Sequence, residues 1–348
     1  MSDLFYGYPE IENSYQQGFV DRIRDEGFGK IQYMVSEKIH GANTQIDYDL
    51  VTGEFLFCKR GGAFDEGESF YNAKGIFEKL KPKIKCMSEL FAKDLDAFGQ
   101  HLLTVKVFGE VFGGSYPHDG VPVDRSASKV QKGVFYSPHN EWCAFDIAYT
   151  VAGSDRVFFL PGSKFFTFCA LFKLDMAPVL GVVDSLDDAL AFPNDGLSQV
   201  YGKFGLPALE NNIMEGVVIR PYDTDVWFGH TRLILKNKNQ KFKEKSRVKK
   251  DAVPAEVPEI VRKACEEISQ FITYARVRNV ISHIGEVTPK DVGRVIMLTS
   301  QDVLKDYRKE YDTLGFMEKK DEKAVTKHMN GEVAKLVRDI IVFGKEGE

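Results

Sequence analysis

Charged side chains stand at the ends of apolar, strand-like segments at several places along this chain of 348 residues. Each segment predicts a β-strand that a lysine, an arginine or a glutamate begins, interrupts or ends. The residues concerned are Lys38, Arg60, Glu110, Glu215, Lys236 and Lys238. Charges beside apolar strands are costly to bury unless they pair or bind a charged ligand. Because strand ends often converge on one rim, the set is a candidate binding site.

A nucleoside triphosphate would satisfy this mixture of charges. The cations would hold its phosphates, the carboxylates would bind a divalent metal or a ribose hydroxyl, and Phe145 could cover the base. Oxygen ligands of this kind suit Mg²⁺, which keeps several of its waters. Lys38 could also attack the α-phosphorus once its amine, whose ordinary pKa is about 10.4, loses a proton. The neighbouring charges of Lys236 and Lys238 would favour that loss.

Taken one at a time, the same residues have simpler explanations. A lone lysine such as Lys38 is usually exposed, and Arg60 alone is most simply a solvated strand end. Phe145 alone is most simply a core residue, and His40 alone a packed or capping histidine. Only the joint occurrence of the set favours a functional site.

The elements that would position these residues are mostly strands. Apolar residues at 31, 33 and 35 predict a half-buried strand that leads to Lys38, and Gly41 predicts a turn after it. Apolar residues recurring at spacings of three and four predict a helix over 74–98, in which Pro82 is expected to cause an early break or kink. Further strands are predicted at 44–48, 54–60, 103–112, 142–148, 215–221 and 232–238.

A change of pattern divides the chain into two predicted domains. Residues 232–250 hold nine lysines and arginines against one acid, which predicts either a solvated strand exit or a surface for RNA phosphates. A proline-containing linker follows at 253–258. Beyond it the apolar spacing is helical to the end of the chain. We therefore predict domains at 1–250 and 255–348.

Composition excludes several classes of protein. Hydrophobic residues make up 43% and charged residues 28%, as in soluble globular proteins, and the net charge of −5 restricts any nucleic-acid surface to a local patch. Five cysteines without a Cys-x-x-Cys pair argue against a disulfide scaffold or a zinc site and favour a reducing compartment. We expect a soluble monomer in the cytoplasm or another reducing intracellular compartment, with no secretory signal or transmembrane segment.

The residues above resemble the motifs of the covalent nucleotidyltransferases, which include ATP-dependent RNA and DNA ligases and mRNA capping enzymes. The segment Lys38-Ile39-His40-Gly41-Ala42-Asn43 is similar to the first motif in the form typical of the RNA ligase 2 family, which contains phage enzymes and trypanosome RNA-editing ligases. Five further segments resemble the remaining motifs in order: Lys59-Arg60-Gly61, Phe108-Gly109-Glu110, Ala144-Phe145-Asp146-Ile147, Glu215–Pro221 and Leu235–Asn239. The resemblance covers about residues 5–245.

The resemblance implies a role for each matched residue. Lys38 would carry AMP, with His40 and Asn43 acting in later steps at the phosphate and the RNA end, and Glu215 would help to bind metal. The implied contacts with the nucleotide are Glu37 and Phe145 at adenine, Arg60 at ribose or phosphate, Glu110 and Gln131 at ribose hydroxyls, and Lys236 and Lys238 at the AMP phosphate.

The implied fold is α+β. An adenylyltransferase domain of antiparallel sheets with flanking helices (ATP-grasp-like ligase) would precede a small all-helical C-terminal domain. The implied function is ATP-dependent, magnesium-dependent sealing of RNA 3′-hydroxyl and 5′-phosphate ends, with a nick in a duplex as the usual substrate and either RNA repair or RNA editing as the role.

Other readings of the same motifs remain. A DNA ligase or a capping enzyme would belong to the same superfamily, although the histidine of the first motif and the helical C-terminal half argue against both. A catalytically silent RNA-binding protein that kept the pocket is a further alternative, against which the intact Lys38, Glu215, Lys236 and Lys238 argue.

Overall fold

The computed structural model describes residues 5–242, 258–311 and 313–344. The chain divides into two compact units, Met1–Asn239 and Gln240–Glu348. The predicted gap between the domains, at 250–255, lies outside the described residues, and so does the basic run from 243 to 250. The domain limits of 1–250 and 255–348 therefore stay a prediction.

The first unit is built mainly of strands. Its helices are α1 Gln17–Asp25, α2 Ala73–Asp96, α3 Gly162–Phe172 and α4 Leu186–Leu190. Its strands are β1 Glu12–Asn13, β2 Tyr33–Glu37, β3 Ala42–Asp49, β4 Phe55–Lys59, β5 Gly62–Ala63, β6 Leu102–Ser115, β7 Ser137–Val151, β8 Phe158–Phe159, β9 Val179–Val183, β10 Gly216–Pro221, β11 Trp227–Phe228, β12 Thr231–Arg232 and β13 Leu235–Lys238.

These strands form two larger sheets. The first sheet has the order β1-β13-β10-β2-β9, and the second has the order β5-β4-β3-β6-β7-β8. Neighbours within both sheets run antiparallel apart from β1 and β13, which pair in parallel. The predicted α+β class with antiparallel sheets and flanking helices is confirmed. The chain changes from the first sheet to the second between β2 and β3, which is the turn that follows Lys38.

Each sheet packs one apolar face against helices. On the second sheet, Phe77 and Ile84 of α2 and Phe165 of α3 join a core with strand residues such as Val107 and Ile147. On the first sheet, α1 and α4 pack against alternate strand residues, namely Tyr33, Val35, Val217, Ile219 and Leu235. The alternation at 33 and 35 marks the face of β2 that packs on these helices. The strand is not half-buried as predicted, because Met34 on its other face is buried in the core of the second sheet.

Two local predictions differ from the structure. Helix α2 continues through Pro82, so the predicted break is wrong, whereas the alternative of a kink stays a prediction. Pro82 lies on the exposed side of the helix, where water can satisfy the carbonyl oxygen that loses its partner. The strand predicted over 232–238 is divided, because Arg232 pairs with Trp227 in a separate hairpin and the pairing with β10 begins only at Leu235.

The second unit is all-helical over its described residues. Its α-helices are α5 Glu259–Ser269, α6 Tyr274–Ile284, α7 Val292–Glu310 and α8 Lys319–Ile341. The fully buried guanidinium of Arg276 holds two of them together, because it lies on α6 and binds the carboxylates of Asp302 and Asp306 on α7. No described helix is both long enough and apolar enough to span a lipid bilayer.

A buried ion cluster joins the two sheets of the first unit. The carboxylate of Asp146 on β7 is fully buried and accepts from the guanidinium groups of Arg220 on β10 and Arg232 on β12. Asp225 binds Arg232 as well, and the hydroxyl of Tyr8 donates to Asp146 over 2.8 Å. The cluster fixes the second sheet against the strand that leads from Glu215.

We predict that Asp146→Asn lowers the free energy of unfolding by about 3–5 kcal/mol, because two arginine charges would stay buried without their shared carboxylate. Denaturant titration of the purified variant measures this loss. Asp96→Asn, which breaks an exposed pair with His101, is the matched control and should cost at most about 1 kcal/mol. Equal effects of the two substitutions would contradict the role given to the cluster.

Candidate active site

The turn between β2 and β3 carries Lys38 from one sheet to the other. The backbone N–H of Lys38 donates to the carbonyl of Gly216 over 2.9 Å, so the lysine is fixed to the start of β10. Gly41, at the other end of the turn, passes so close to β6 that a Cβ atom there would lie 2.1 Å from the carbonyl oxygen of Val111. The turn therefore requires glycine at 41 to bring Lys38 against Glu110.

Glu215 is the centre of the site. Its side chain is 2% exposed, and its two oxygens bind the ammonium groups of Lys38 at 2.8 Å and Lys238 at 3.0 Å. The Nδ1 atom of His40 lies 3.6 Å from the oxygen that Lys38 uses. The side chain of Lys38 is 18% exposed, so a ligand can reach the amine while its carboxylate partner stays buried.

The electrostatics of Glu215 follow from these contacts. Burial acts to raise its pKa, but the charges of Lys38, Lys238 and His40 outweigh burial and lower the pKa to about 2. The carboxylate is therefore ionised at every pH at which the protein would work. The predicted effect of Lys236 and Lys238 on the Lys38 amine did not include Glu215, whose carboxylate lies between Lys38 and Lys238.

Backbone geometry at Gly216 makes the arrangement possible. Its φ of 152° lies in a region that side chains rarely adopt, and a Cβ atom there would lie 2.3 Å from the carbonyl oxygen of Asn237. Gly216 is paired with Lys238 across β10 and β13. Glycine at 216 thus lets Glu215 turn toward two lysines that arrive on different strands.

A second carboxylate comes from the other sheet. Glu110 on β6 is paired with Asn43 on β3. Burial raises the pKa of Glu110 to about 7, although the charges of Lys38 and Arg60 act to lower it, and Glu215 adds to the rise. The two sheets therefore bring Lys38, Arg60, Glu110 and Glu215, four of the six charged residues singled out in the sequence, close enough to interact electrostatically.

Glu37 is a buried acceptor beside the lysine. It is 1% exposed, and its Oε2 atom accepts the N–H of Gln199 over 2.8 Å. Its Oε1 atom is buried without a hydrogen-bond partner among the described residues. Burial raises the pKa of Glu37 to about 7, against the hydrogen bonds of Ser198 and Gln199 and the charge of Lys203, which lower it. An unsatisfied buried carboxylate oxygen is a site for a donor from a ligand.

Phe145 is placed by a β-bulge. Phe108 pairs with Asp146 and Gly109 pairs with Ala144, so Phe145 is an extra residue of β7 between them. Such bulges redirect a side chain. The ring of Phe145 contacts the ring of Tyr8 edge-on, with centroids 4.9 Å apart, which supports it from the N-terminal segment.

Not every predicted residue joins the group in the same way. Both ends of the buried Gln131 amide bind backbone, since Oε1 accepts the N–H of Gly113 at 3.0 Å and Nε2 donates to Val134 at 3.2 Å. These two hydrogen bonds support the loop before β7.

Lys236 lies on β13 two residues before Lys238 and opposite Val218 of β10, so the side chains of Lys236 and Lys238 are on the same face of the sheet. The ligand contacts assigned to Gln131 and Lys236 stay predictions.

Sequence reasoning missed the residues that support the site. Tyr8, Tyr136 and Gln199 each contact a residue of a motif, but they lie in segments that belong to no motif. The spacing of Tyr8 and Asp146, 138 positions apart, leaves no periodic signal. Tyr136 follows a loop rich in Pro, Asp and Ser, where no strand pattern pointed to it.

The carboxylates suit a weakly held hard metal and not a closed metal cage. Among the described residues there is no group of three or more His, Cys, Asp and Glu side chains able to hold a metal ion. Both oxygens of Glu215 bind lysines. A cation here would thus depend on water and phosphate oxygens with one or two carboxylates, which is the usual environment of Mg²⁺.

Family models account for most of the chain. A model described as RNA ligase matches residues 31–238, and a model described as T4 RNA ligase 2 C-terminal matches residues 255–335. The chain belongs to the RNA ligase 2 family of ATP-dependent RNA ligases. The matched ranges contain the Lys38–Glu215–Lys238 group and the described helices α5 to α7.

Individual relatives of this RNA ligase share 30% sequence identity or less with it. RNA-editing ligase 1, mitochondrial, of Trypanosoma brucei brucei is 26% identical over an alignment of 373 positions that covers 89% of this chain and 77% of that protein. RNA-editing ligase 2, mitochondrial, of the same organism is 30% identical over 159 residues, covering 42% and 37%. Among solved structures, a Naegleria gruberi RNA ligase mutant with ATP and Mn shares 13% identity at a TM-score of 0.42, covering 70% of this chain and 60% of the solved chain.

We predict that adenosine binding strengthens about tenfold as pH rises from 6 to 8, because an amino donor at Glu37 requires the ionised carboxylate and this group titrates near pH 7. Guanosine, which presents an acceptor at the same position, should not gain affinity. Calorimetry at several pH values measures both. In Glu37→Gln the pH-dependent gain of adenosine over guanosine should disappear, whereas Glu110→Gln, which alters the ribose contact common to both nucleosides, should keep that difference; an unchanged difference in Glu37→Gln would contradict the assignment.

Proposed function

We propose that this protein seals RNA 3′-hydroxyl and 5′-phosphate ends through a lysyl-AMP intermediate on Lys38. The observation that carries the proposal is the lysine itself, reachable from solvent and fixed on the buried carboxylate of Glu215 at 2.8 Å with Lys238 on the other oxygen. A lysine that served only stability would not need a second buried lysine beside it, since burying like charges is unfavourable.

The charge of the site matches a triphosphate. Lys38, Lys238 and Arg60 bring positive charge, while Glu215 is ionised and Glu110 has a pKa near 7. The excess of positive charge would attract phosphate oxygens, with Lys236 and Lys238 at the α-phosphate and Arg60 at ribose or phosphate. Glu110 and Gln131 would contact ribose hydroxyls, with the carboxylate of Glu110 as an acceptor.

Three group transfers would follow. The Lys38 amine, after losing its proton and its contact with Glu215, attacks the α-phosphorus of ATP; an N–P bond forms, the bond to the β-phosphate breaks and pyrophosphate leaves. An oxygen of an RNA 5′-phosphate then attacks the AMP phosphorus, and the lysine leaves and regains a proton. Finally the 3′-hydroxyl attacks the 5′-phosphorus and releases AMP, with His40 and Asn43 acting at the phosphate and the RNA end.

Adenine would be selected by two groups. The unpartnered Oε1 atom of Glu37 would accept from the exocyclic amine of adenine, and it would oppose the carbonyl that guanine presents there. The ring of Phe145, held by Tyr8, would stack on the base. This preference separates the proposal from a GTP-dependent capping enzyme.

We propose Mg²⁺ as the metal, with Glu215 as its carboxylate contact once Lys38 has moved to phosphorus. The ion would neutralise charge on the phosphates and on the departing pyrophosphate. For RNA we propose a nick in a duplex, joined by a monomeric enzyme; the relatives named RNA-editing ligases support RNA as the substrate.

We predict that labelled α-phosphate passes from ATP to the wild-type protein in the presence of Mg²⁺, and that Lys38→Ala abolishes the transfer. The label should survive denaturation, because it is held by a covalent N–P bond. Lys38→Arg, which keeps the positive charge beside Glu215, should also fail to take up label. Gel autoradiography with ATP and GTP in parallel provides the measurement.

Lys81→Ala is the matched control for this experiment. It removes another lysine that pairs with a glutamate, Glu78, on the surface of α2, and it should take up label at the wild-type rate. Label on Lys38→Ala would contradict a lysyl-AMP intermediate on Lys38, and label from GTP alone would indicate a capping enzyme. No label on any form, with RNA binding intact, would favour a silent RNA-binding protein.

A further inference from the structure

The phenol of Tyr136 is buried next to the nucleophile turn. Its side chain is fully buried, and its hydroxyl oxygen accepts the backbone N–H of His40 over 2.9 Å. His40 lies two residues after Lys38, within the turn that joins β2 to β3. The hydroxyl therefore binds the backbone on which the nucleophile is mounted, without touching the nucleophile itself.

Tyr136 is itself fixed on both sides. The preceding residue, Phe135, is clamped by Asn212, whose Oδ1 accepts its N–H at 2.8 Å and whose Nδ2 donates to its carbonyl at 2.7 Å. The following residue, Ser137, begins β7 and pairs with Ser115 of β6. The phenol ring also packs edge-on against the ring of Phe112, with centroids 5.2 Å apart. The hydroxyl position is therefore set by the scaffold.

These contacts form a neutral connection between the two halves of the ion pair. Asn212 lies three residues before Glu215 in the chain, and Tyr136 reaches the turn two residues after Lys38. The path from Asn212 through Phe135 and Tyr136 to His40 thus runs beside the Lys38–Glu215 salt bridge and uses no charged group. Burial raises the pKa of Tyr136 well above its ordinary value, and the nearby carboxylates of Glu37, Glu215 and Glu110 add to the rise. The phenol therefore stays neutral.

The salt bridge and the neutral connection behave differently during nucleotidyl transfer. Lys38 must give up its proton and its contact with Glu215 before it can attack, so the salt bridge cannot hold the turn at that moment. On the basis of the proposed function, we infer that Tyr136 is a positioning residue that keeps the His40 turn, and with it Lys38, aligned with the α-phosphate while the salt bridge is broken.

Tyr136→Phe tests this inference, because it keeps the ring on Phe112 and removes only the hydroxyl. We expect the single-turnover rate of self-adenylation at saturating ATP to fall about 10- to 100-fold, as a misaligned nucleophile would cause. The Kd for ATP should stay within about twofold, because the hydroxyl is assigned no ligand contact and uniform binding is unaffected.

Tyr33→Phe is the matched control. Tyr33 is also fully buried, and its hydroxyl donates to the carbonyl of Phe28 over 2.6 Å. Loss of either hydroxyl should reduce the free energy of unfolding by a similar amount, because each removes one buried hydrogen bond. Only Tyr136→Phe should reduce the adenylation rate. A direct measurement on the wild-type protein is amide exchange at His40, which should be protected although the residue lies in a turn.

Three outcomes would overturn the inference. These are a wild-type adenylation rate in Tyr136→Phe, an equal loss of rate in Tyr33→Phe, and unprotected exchange of the His40 amide. Failure of the proposed function has a different signature, since wild-type protein would then take up no label at all. The two failures are therefore distinguishable in the same experiment.

Discussion

The carboxylate of Glu215 lies between two lysine ammoniums, and the arrangement of the first unit keeps it there. Lys38 arrives from β2, Lys238 from β13, and Glu215 from the start of β10, so three strands of the first sheet must be in register. Because the pKa of Glu215 is lowered to about 2 from 4.5, its contribution to stability is present above pH 4.5 and is lost as pH falls toward 2. The same charge balance leaves room for phosphates, which would replace Glu215 as the partner of Lys38.

The second sheet supplies the other carboxylate and the aromatic ring of the site. Its strand β6 brings Glu110, and its bulged strand β7 turns Phe145 toward Tyr8. The sheets meet at the glycine turn after Lys38 and at the buried Asp146 cluster. Positioning and chemistry are therefore divided between residues. The Asp146 cluster and the glycine turn hold the sheets together, whereas Lys38 is accessible to a ligand and the carboxylates of Glu37 and Glu110 have raised pKa values of about 7.

The part of this site that could be predicted from sequence is the part carried by short motifs. Lys38, Glu215 and Lys238 stand at strand ends, and the apolar pattern showed which strands would carry them. Glu110 was also expected near a strand end, but it lies inside β6, which continues to Ser115. Tyr8, Tyr136 and Gln199 could not be found, because they reach the motifs from loops through contacts distant in sequence. Pro82 was misjudged because propensity describes an isolated helix, whereas α2 is stabilised by packing on the second sheet.

The most direct test of this account is a double-mutant cycle on the Glu215 ion group, measured as the free energy of unfolding. Glu215→Gln should be strongly destabilising, since it leaves two buried ammoniums without a carboxylate. Adding Lys238→Met to Glu215→Gln should restore stability by about 1–3 kcal/mol, because it removes one of those unpaired charges. If instead the losses of the two single variants simply add, Glu215 does not hold the lysines as described, and the site is not organised around it.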